Sequence, residues 1–272
     1  MIGTASEMKA LLIDGLNLVR RVYAAVPGDQ DTIEHFEGAL ESIVQSLRRA
    51  LNEVAPSHAA CVFDGDGKTW RHEMFPDYKK GRPPMPDTLQ ANLHRVLEVI
   101  EETGIRTIAV NRTEADDVIA TIAGKIAARE GRVVILSTDR SMCQLVSDRI
   151  QVRDHFAGRY LDRGYVREKF GVSPSQLPIL LGLMGDKSLN VPGVTSIGAR
   201  TGARLIGRYG TLEQILAHAK AIPGRPGKAL RLKTDNARLS AALARLKTDV
   251  NVGINLAALR LSLKTWRSKT AR

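Results

Sequence analysis

Short apolar runs that end on an acidic residue recur along this chain. Lys9 to Ile13 runs into Asp14, Ala59 to Phe63 into Asp64, and Arg132 to Leu136 into Ser137-Thr138-Asp139. Continuous apolar stretches of this length, rich in β-branched residues and bounded by polar ones, are the pattern of strands buried on both faces. Ile105 to Val110 is a fourth such run, and it leads into Glu114-Ala115-Asp116-Asp117 at the head of a helical stretch. Between the runs, apolar periodicity predicts helices over residues 31–54, 86–103 and 114–130. Strands alternating with helices in this way predict an α/β fold built on a parallel sheet with right-handed crossovers.

The acids carry the first chemical inference. Carboxylates at the C-terminal ends of neighbouring parallel strands converge on one crevice, and Asp14, Asp64, Glu114, Asp116, Asp117 and Asp139 each close an apolar run or open the helix after one. Taken singly, each also has a purely structural reading. Helix starts favour acids, Thr113 with Asp116 fits a capping box, and an Asp after a strand serves as a turn residue. Gathered at one end of one sheet they predict a divalent cation, because clustered carboxylates repel one another at high cost without one.

Composition narrows the partner. Across 272 residues there are 40 Lys and Arg against 29 Asp and Glu, a net charge of +11. With part of the acid gathered in a crevice, the remaining surface is more basic than the total suggests, and a polyanion such as nucleic acid is the expected partner. The length suits one large domain with a smaller one appended. Met1 to Val19 is interrupted by Glu7, Lys9 and Asp14 and lacks a signal-peptide block, and no later stretch approaches a membrane span. The expectation is a cytosolic (cytoplasmic) monomer with no membrane partner. Cys61 and Cys143 are isolated, show no metal-type spacing, and are read as core residues.

Two further segments stand out. Phe75 to Pro86, FPDYKKGRPPMP, follows the Asp64 strand with three cations and several prolines, so it is neither a strand nor a helix interior. As a loop over the strand ends it brings Lys79 and Arg82 within reach of a phosphate; as a solvated basic loop it does nothing more. Pro178 to Gly210 reads as a helix, a Gly-rich turn and a second helix opening at Ser196-Ile197-Gly198-Ala199-Arg200-Thr201, with basic flanks at Lys187, Arg200, Arg204 and Arg208. Outward-pointing amides at such a corner make a sequence-independent clamp for duplex backbone, although the same corner also serves packing alone.

The blocks LLIDGLNLVRRVYA, VFDGDGKTWRHEMFPDYKKGRPPMP, EADDVIATIA, LSTDRSMCQLV and LMGDKSLNVPGVTSIGARTGARLI stand in order over residues 9–220. In these blocks the chain resembles the flap-endonuclease family of 5′-nucleases, which includes the 5′-exonuclease domain of bacterial DNA polymerase I, and within it the compact stand-alone bacterial members. The resemblance implies a parallel-sheet, PIN-like core over 8–175 with a helical arch around 76–103. It further implies a helical DNA-binding region over 176–260 with a helix-three-turn-helix at 183–208, and flexible ends at 1–7 and 264–272. It assigns Asp14, Asp64, Glu114 and Asp116 to a first metal site, and Asp117, Asp139 and Asp186 to a second. Mg²⁺, replaceable by Mn²⁺, is the implied ion. Lys79 and Arg82, with Asp116, take the catalytic role, and Tyr78, Lys79 and Arg82 face the DNA at the base of the arch. Ser196 to Thr201 (Ser196, Ile197, Gly198, Ala199, Arg200, Thr201) bind duplex, and the carbonyls of Leu183, Met184, Pro192, Val194 and Ile197 hold K⁺ against a DNA phosphate.

This sequence departs from the family pattern at two places, where Ser141 and Leu189 replace the second acids of paired motifs. Fewer carboxylates hold a hard cation more weakly, so the second site is expected to be impaired while the first is complete. The implied activity is metal-assisted hydrolysis of phosphodiesters in branched or 5′-flap DNA, near the junction of single strand and duplex. The alternative is a protein that binds such DNA and has little or no nuclease activity. Phe63-Asp64-Gly65-Asp66-Gly67 also admits a haloacid-dehalogenase-type phosphatase, although Leu189-Asn190 fails to supply the later acid which that class needs. Val62 stands where a P-loop requires glycine, so nucleotide binding is set aside.

Overall fold

The computed structural model describes residues 8–261. The predicted flexible ends at 1–7 and 264–272 lie outside the described residues. The four apolar runs form β1 (Lys9–Asp14), β2 (His58–Asp64), β3 (Arg106–Val110) and β4 (Arg132–Leu136), all mutually parallel. The sheet continues through β5 (Ile150–Asp154), parallel to β4, and ends in the antiparallel edge strand β6 (Arg159–Leu161). Its order is β3-β2-β1-β4-β5-β6. The order reverses between β1 and β4, the position at which open α/β sheets form their ligand crevice.

Alternate residues of each strand serve opposite faces. Ala10, Leu12, Ala60, Val62, Val133 and Ile135 pack under α6 (Ala115–Ala127), whose Val118, Ile119, Ile122 and Ile126 are buried. Leu11, Ile13, Ala59, Cys61, Phe63, Val134 and Leu136 pack under α1 (Gly15–Ala25), α2 (Ile33–Val54) and α5 (Leu93–Glu102). Cys61 and Cys143 are both buried, one in each of these two clusters. The helix predicted over 86–103 is two pieces, α4 (Asp87–Ala91) and α5, broken at Asn92. There the Asn92 side chain donates to the Thr88 carbonyl and competes with the helical ladder. A short α3 (Trp70–Met74) precedes the Phe75–Pro86 loop.

Beyond the sheet come α7 (Arg163–Phe170), α8 (Leu177–Met184), α9 (Ala199–Tyr209), α10 (Leu212–Ala217), α11 (Gly224–Leu232) and α12 (Thr234–Ala244). Leu180, Leu183, Leu205, Ile206 and Leu230 share one apolar cluster with the α6 face of the sheet, so the helical region is welded to the core. α8 and α12 pack so closely that a Cβ on Gly182 would stand 2.4 Å from the Ala241 Cα. No helix among the described residues is long and apolar enough to cross a membrane.

Candidate metal and nucleic-acid site

A crevice of about 440 Å³ opens along the C-terminal ends of β1, β2 and β4, and Asp14, Asp64, Glu114, Asp116, Asp139 and Asp186 line it. Four of these acids, Asp14, Asp64, Asp139 and Asp186, accept from backbone amides. Asp14 caps α1, accepting from the Asn17 amide at 3.2 Å and from Ser137 Oγ at 2.8 Å. Asp64 accepts from the Ala115 amide at 2.9 Å, which fastens the end of β2 to the start of α6. Asp139 accepts from the Ser141 amide at 2.7 Å, and Ser141 Oγ lies 3.3 Å from Asp116 Oδ2. Asp186 spends Oδ1 on its own turn, accepting from Ser188 N, Ser188 Oγ and Leu189 N.

The electrostatics of this group are those of an unneutralised cluster. Burial, against the bonds from Ser137 and Asn17 and with repulsion from Asp139 and Asp64, pushes the Asp14 carboxyl up to about 7. Asp116 is raised well above the ordinary carboxylate value, first by desolvation and then by Asp139, Asp14, Glu114 and Asp64. A divalent cation removes that penalty. Among the described residues no three acids, histidines or cysteines close on a single point as a ready-made cage. The donor set is nonetheless entirely oxygen, which suits a hard ion that keeps several of its waters and takes only one or two carboxylates directly. Glu114 Oε1 is buried without a hydrogen-bond donor. Beside it lies Lys79, whose Nζ stands 2.9 Å away as an ion pair without hydrogen-bond alignment. An acceptor left open toward the crevice fits a cation there.

Asp117 requires a correction. The sequence reading placed it with the second metal site, but it is fully buried behind the crevice and all its acceptor capacity is taken. Arg71 donates to both its oxygens at 2.9 Å, Trp70 Nε1 to Oδ2 at 2.7 Å, and the Lys247 amide to Oδ1 at 2.9 Å. Arg71 is itself only 2% exposed. It also donates to Glu114 Oε2 at 2.8 Å and to the carbonyls of Leu243 and Arg245 at 2.9 and 3.1 Å. Burial opposes the charge on Arg71, and its bonds to Asp117 with the attraction of Glu114 overcome that opposition and raise its pKa. Asp117 therefore holds the arginine that holds Glu114.

The Phe75–Pro86 loop folds over the strand ends. Tyr78 is buried against Val191, Leu243 and the partly buried Leu189, and its hydroxyl donates to Glu114 Oε2 at 3.3 Å. Lys79 reaches into the crevice, 3.8 Å from Asp64 Oδ2 as well as 2.9 Å from Glu114. Its backbone is left-handed, φ 59°, a conformation that costs about 1–2 kcal/mol for a residue with a Cβ. Two bonds from the hairpin hold it there: Lys79 N donates to the Leu189 carbonyl and Asn190 Nδ2 to the Asp77 carbonyl, both at 2.8 Å. Leu189, one of the two departures, thus closes the loop through its side chain and its carbonyl. Arg82 also lines the crevice.

The Gly-rich corner forms between α8 and α9. Asp186 and Val191 pair across it, and a Cβ on Gly193 would lie 2.5 Å from the Gly185 amide nitrogen, so the two backbones touch. The second helix begins at Ala199 with Gly198 as its cap, later than expected. Ser196, with φ 69°, and Ile197 belong to the turn before it. Arg200 and Thr201 stand in its first turn. Of the five carbonyls expected to hold K⁺, that of Leu183 accepts from the Val194 amide at 2.8 Å and that of Val194 from the Ile197 amide at 3.1 Å, each retaining a second lone pair. Met184 and Pro192 flank the same Gly185–Gly193 contact.

Sequence reasoning missed Arg71 and Trp70, along with Asn17, Arg20 and Arg21 on α1, which line the crevice beside Arg82. A signal for the α1 residues existed, since 17, 20 and 21 recur at helical spacing after Asp14 and face one side.

Comparison with known proteins places this arrangement. The family model described as the 5′-3′ exonuclease N-terminal resolvase-like domain matches residues 9–171, and the model of its C-terminal SAM fold matches 172–267. Flap endonuclease Xni of Photobacterium profundum is 39% identical over 252 residues, which covers 92% of this chain and 96% of that one. The protein of the same name from Vibrio cholerae serotype O1 is 37% identical over 258 residues, with 94% and 98% covered. Among solved structures, bacteriophage T5 5′-exonuclease with bound zinc aligns over 97% of each chain at TM-score 0.73 and 22% identity. The catalytic core of Rad2 with its DNA substrate aligns over 96% of this chain and 86% of that one, at TM-score 0.59 and 16% identity.

Proposed function

The chain belongs to the 5′-3′ exonuclease family, and from that premise we propose that it is a structure-specific 5′ nuclease whose crevice acids hold Mg²⁺ and whose substrate is 5′-flap or branched DNA. The observation that carries the reading is the group of six acids at one end of the sheet, two of them with strongly raised pKa values, beneath a loop that supplies Lys79. Family membership sets aside the phosphatase alternative.

Asp14, Asp64, Glu114 and Asp116 would hold the principal ion, with Asp139 at the far side of the crevice. A divalent ion at such a site supplies an activated water and polarises the phosphate. The chain's own residues do the rest. Lys79 and Arg82 compensate charge on the phosphate and on the leaving oxygen. Arg71 and Tyr78 fix the rotamer of Glu114, and Ser137 fixes that of Asp14, so the acceptors stand ready before substrate arrives. Asp186, with one oxygen engaged in its own turn, and Ser141 and Leu189, which are not acids, leave the outer side of the crevice short of ligands. A single ion, or two of very unequal affinity, is the expected occupancy.

The corner between α8 and α9 grips duplex backbone through its amides and Arg200, with K⁺ on the carbonyls of the turn, while the basic loop faces the single-stranded arm. Readout is by shape and phosphate, through the amides and cations of these two elements. The cellular setting proposed is the cytoplasm. The test is cleavage of a labelled 5′-flap substrate across a Mg²⁺ and Mn²⁺ series, beside the Asp116→Ala variant. Product above the variant's background supports the nuclease; equal background from both, with flap binding intact, would leave a DNA-binding protein instead.

A further inference from the structure

Six large hydrophobic side chains are well exposed among the described residues, and two of them, Phe156 at 41% and Tyr160 at 40%, belong to one hairpin. That hairpin joins β5 to β6, and its turn, residues 155–158, stands at the C-terminal end of β5. This is the edge of the sheet at which β1 and β4 deliver Asp14 and Asp139. Both exposed rings carry an arginine: Arg21 lies 5.6 Å from the Phe156 centroid and Arg153 5.0 Å from that of Tyr160. Arg21 also lines the acidic crevice. One side chain therefore spans the distance from the proposed reaction centre to the Phe156 ring.

The ground between them is built. Asn17 Oδ1 accepts from the Thr138 amide at 3.1 Å and from its hydroxyl at 3.0 Å, which locks α1 to the segment after β4. Phe156 and His155 lie against Asn17 and Thr138 there. The turn is rigid as well. His155 is buried and accepts from Arg49 at 2.8 Å through Nε2, its pKa lowered by burial and by Arg49, so the ring stays neutral and keeps that acceptor. Arg153 pairs with Glu53 of α2 at 2.7 Å, and the Ala157 amide donates to Asp154 at 3.0 Å. A fixed, solvent-facing aromatic with a guanidinium beside it is the arrangement that receives a nucleobase, because every base has a π-face and the cation serves the neighbouring phosphate.

We propose that Phe156 and Arg21 form a stacking site for an unpaired nucleobase of the DNA strand that runs through the crevice. Stacking of this kind is tolerant of sequence, so it positions the single-stranded part of the substrate without selecting bases. The inference rests on the nuclease reading for the identity of its ligand. Its test therefore uses binding in chelator, independent of cleavage.

The experiment measures fluorescence anisotropy of a duplex with a labelled 5′ single-stranded arm, using wild type, Phe156→Ala, Phe156→Trp and Arg21→Ala. Phe156→Ala should bind about 5- to 150-fold more weakly, the roughly 1–3 kcal/mol of one base–aromatic stack, with an unchanged salt dependence. Phe156→Trp should restore affinity. Arg21→Ala should flatten the slope of log K against log salt by about 0.7–0.9, one phosphate contact. An abasic residue walked along the arm should abolish the Phe156→Ala effect at one or two positions only. Wild-type affinity in Phe156→Ala, a loss that tryptophan leaves unrepaired, or the same loss at every abasic position would each overturn the stacking site. Wild type that binds the arm but leaves no product with any metal overturns the nuclease reading alone.

Discussion

Replacing Arg71 by methionine tests the network behind the crevice. The guanidinium is 2% exposed and makes five hydrogen bonds, to Glu114, twice to Asp117, and to the carbonyls of Leu243 and Arg245. Methionine matches its length and keeps the apolar packing, but it strands the Asp117 carboxylate at a fully buried position. Breaking one side of a buried ion pair costs roughly 3–5 kcal/mol, and each carbonyl left unpaired adds about 1–3 kcal/mol unless water reaches it. Trp70 and the Lys247 amide still donate to Asp117 and water can reach the carbonyls, which places the expected loss at about 4 kcal/mol, within the ion-pair range alone. In a protein of this size each kcal/mol lowers Tm by about 2–4 °C, so the midpoint should fall by roughly 8–16 °C. Urea unfolding in chelator, followed by circular dichroism, measures it directly. The double variant Arg71→Met/Asp117→Leu should recover half or more of the loss, because the stranded charge is gone. A single variant within about 1 kcal/mol of wild type, or a double variant as unstable as the sum of its parts, would refute the argument that this pair is held by burial and mutual need.

Two other outcomes follow from the crevice. Asp14 has a folded pKa of about 7 against 3.8 for the ordinary carboxylate, so its contribution to stability is full below about pH 4 and is lost as pH rises through 7, about 4 kcal/mol at most. Mg²⁺ should therefore raise Tm more at pH 8 than at pH 5, and Asp14→Asn should remove most of that difference; an equal rise at both pH values would contradict the assignment. Lys79→Met removes the ammonium 2.9 Å from Glu114 Oε1. Mg²⁺ should then bind several-fold more tightly by calorimetry while flap cleavage falls about 10²–10³-fold, whereas parallel losses in both would show that Lys79 only supports the loop.

What could be read from the chain follows from where each signal is stored. β1, β2 and β4 are covered on both faces, and continuous apolar runs announce them; β3 is announced by a similar run although it is the other edge strand and buries only Ile108. β5, with Gln151, Arg153 and Asp154, and the three-residue β6 lie toward the sheet edge, where half the side chains meet water or form ion pairs. Their sequence carries no such run. The crevice acids were legible because a strand end is a local feature. Asp117 was misread for the same reason, because its place at a helix start looks identical to that of Asp116. What separates the two is Arg71, 46 residues away, and nothing in Trp70-Arg71-His72 marks that arginine as buried.

The Asp117 contact with Lys247 sets an order on the making of this protein. A ribosome delivers all of β1 to β4 and the acids of the crevice long before it delivers residues 243–247, whose backbone completes the shell around Arg71 and Asp117. Until then Glu114 in the crevice and Asp117 behind it share an arginine that lacks two of its acceptors, and the segment packed on Tyr78 through Leu243 is missing. The nascent polypeptide therefore carries every acid of a nuclease without the finished support for them. On the proposed reading, competence to cut waits on residues 243–247, however early the strands and the acids are in place.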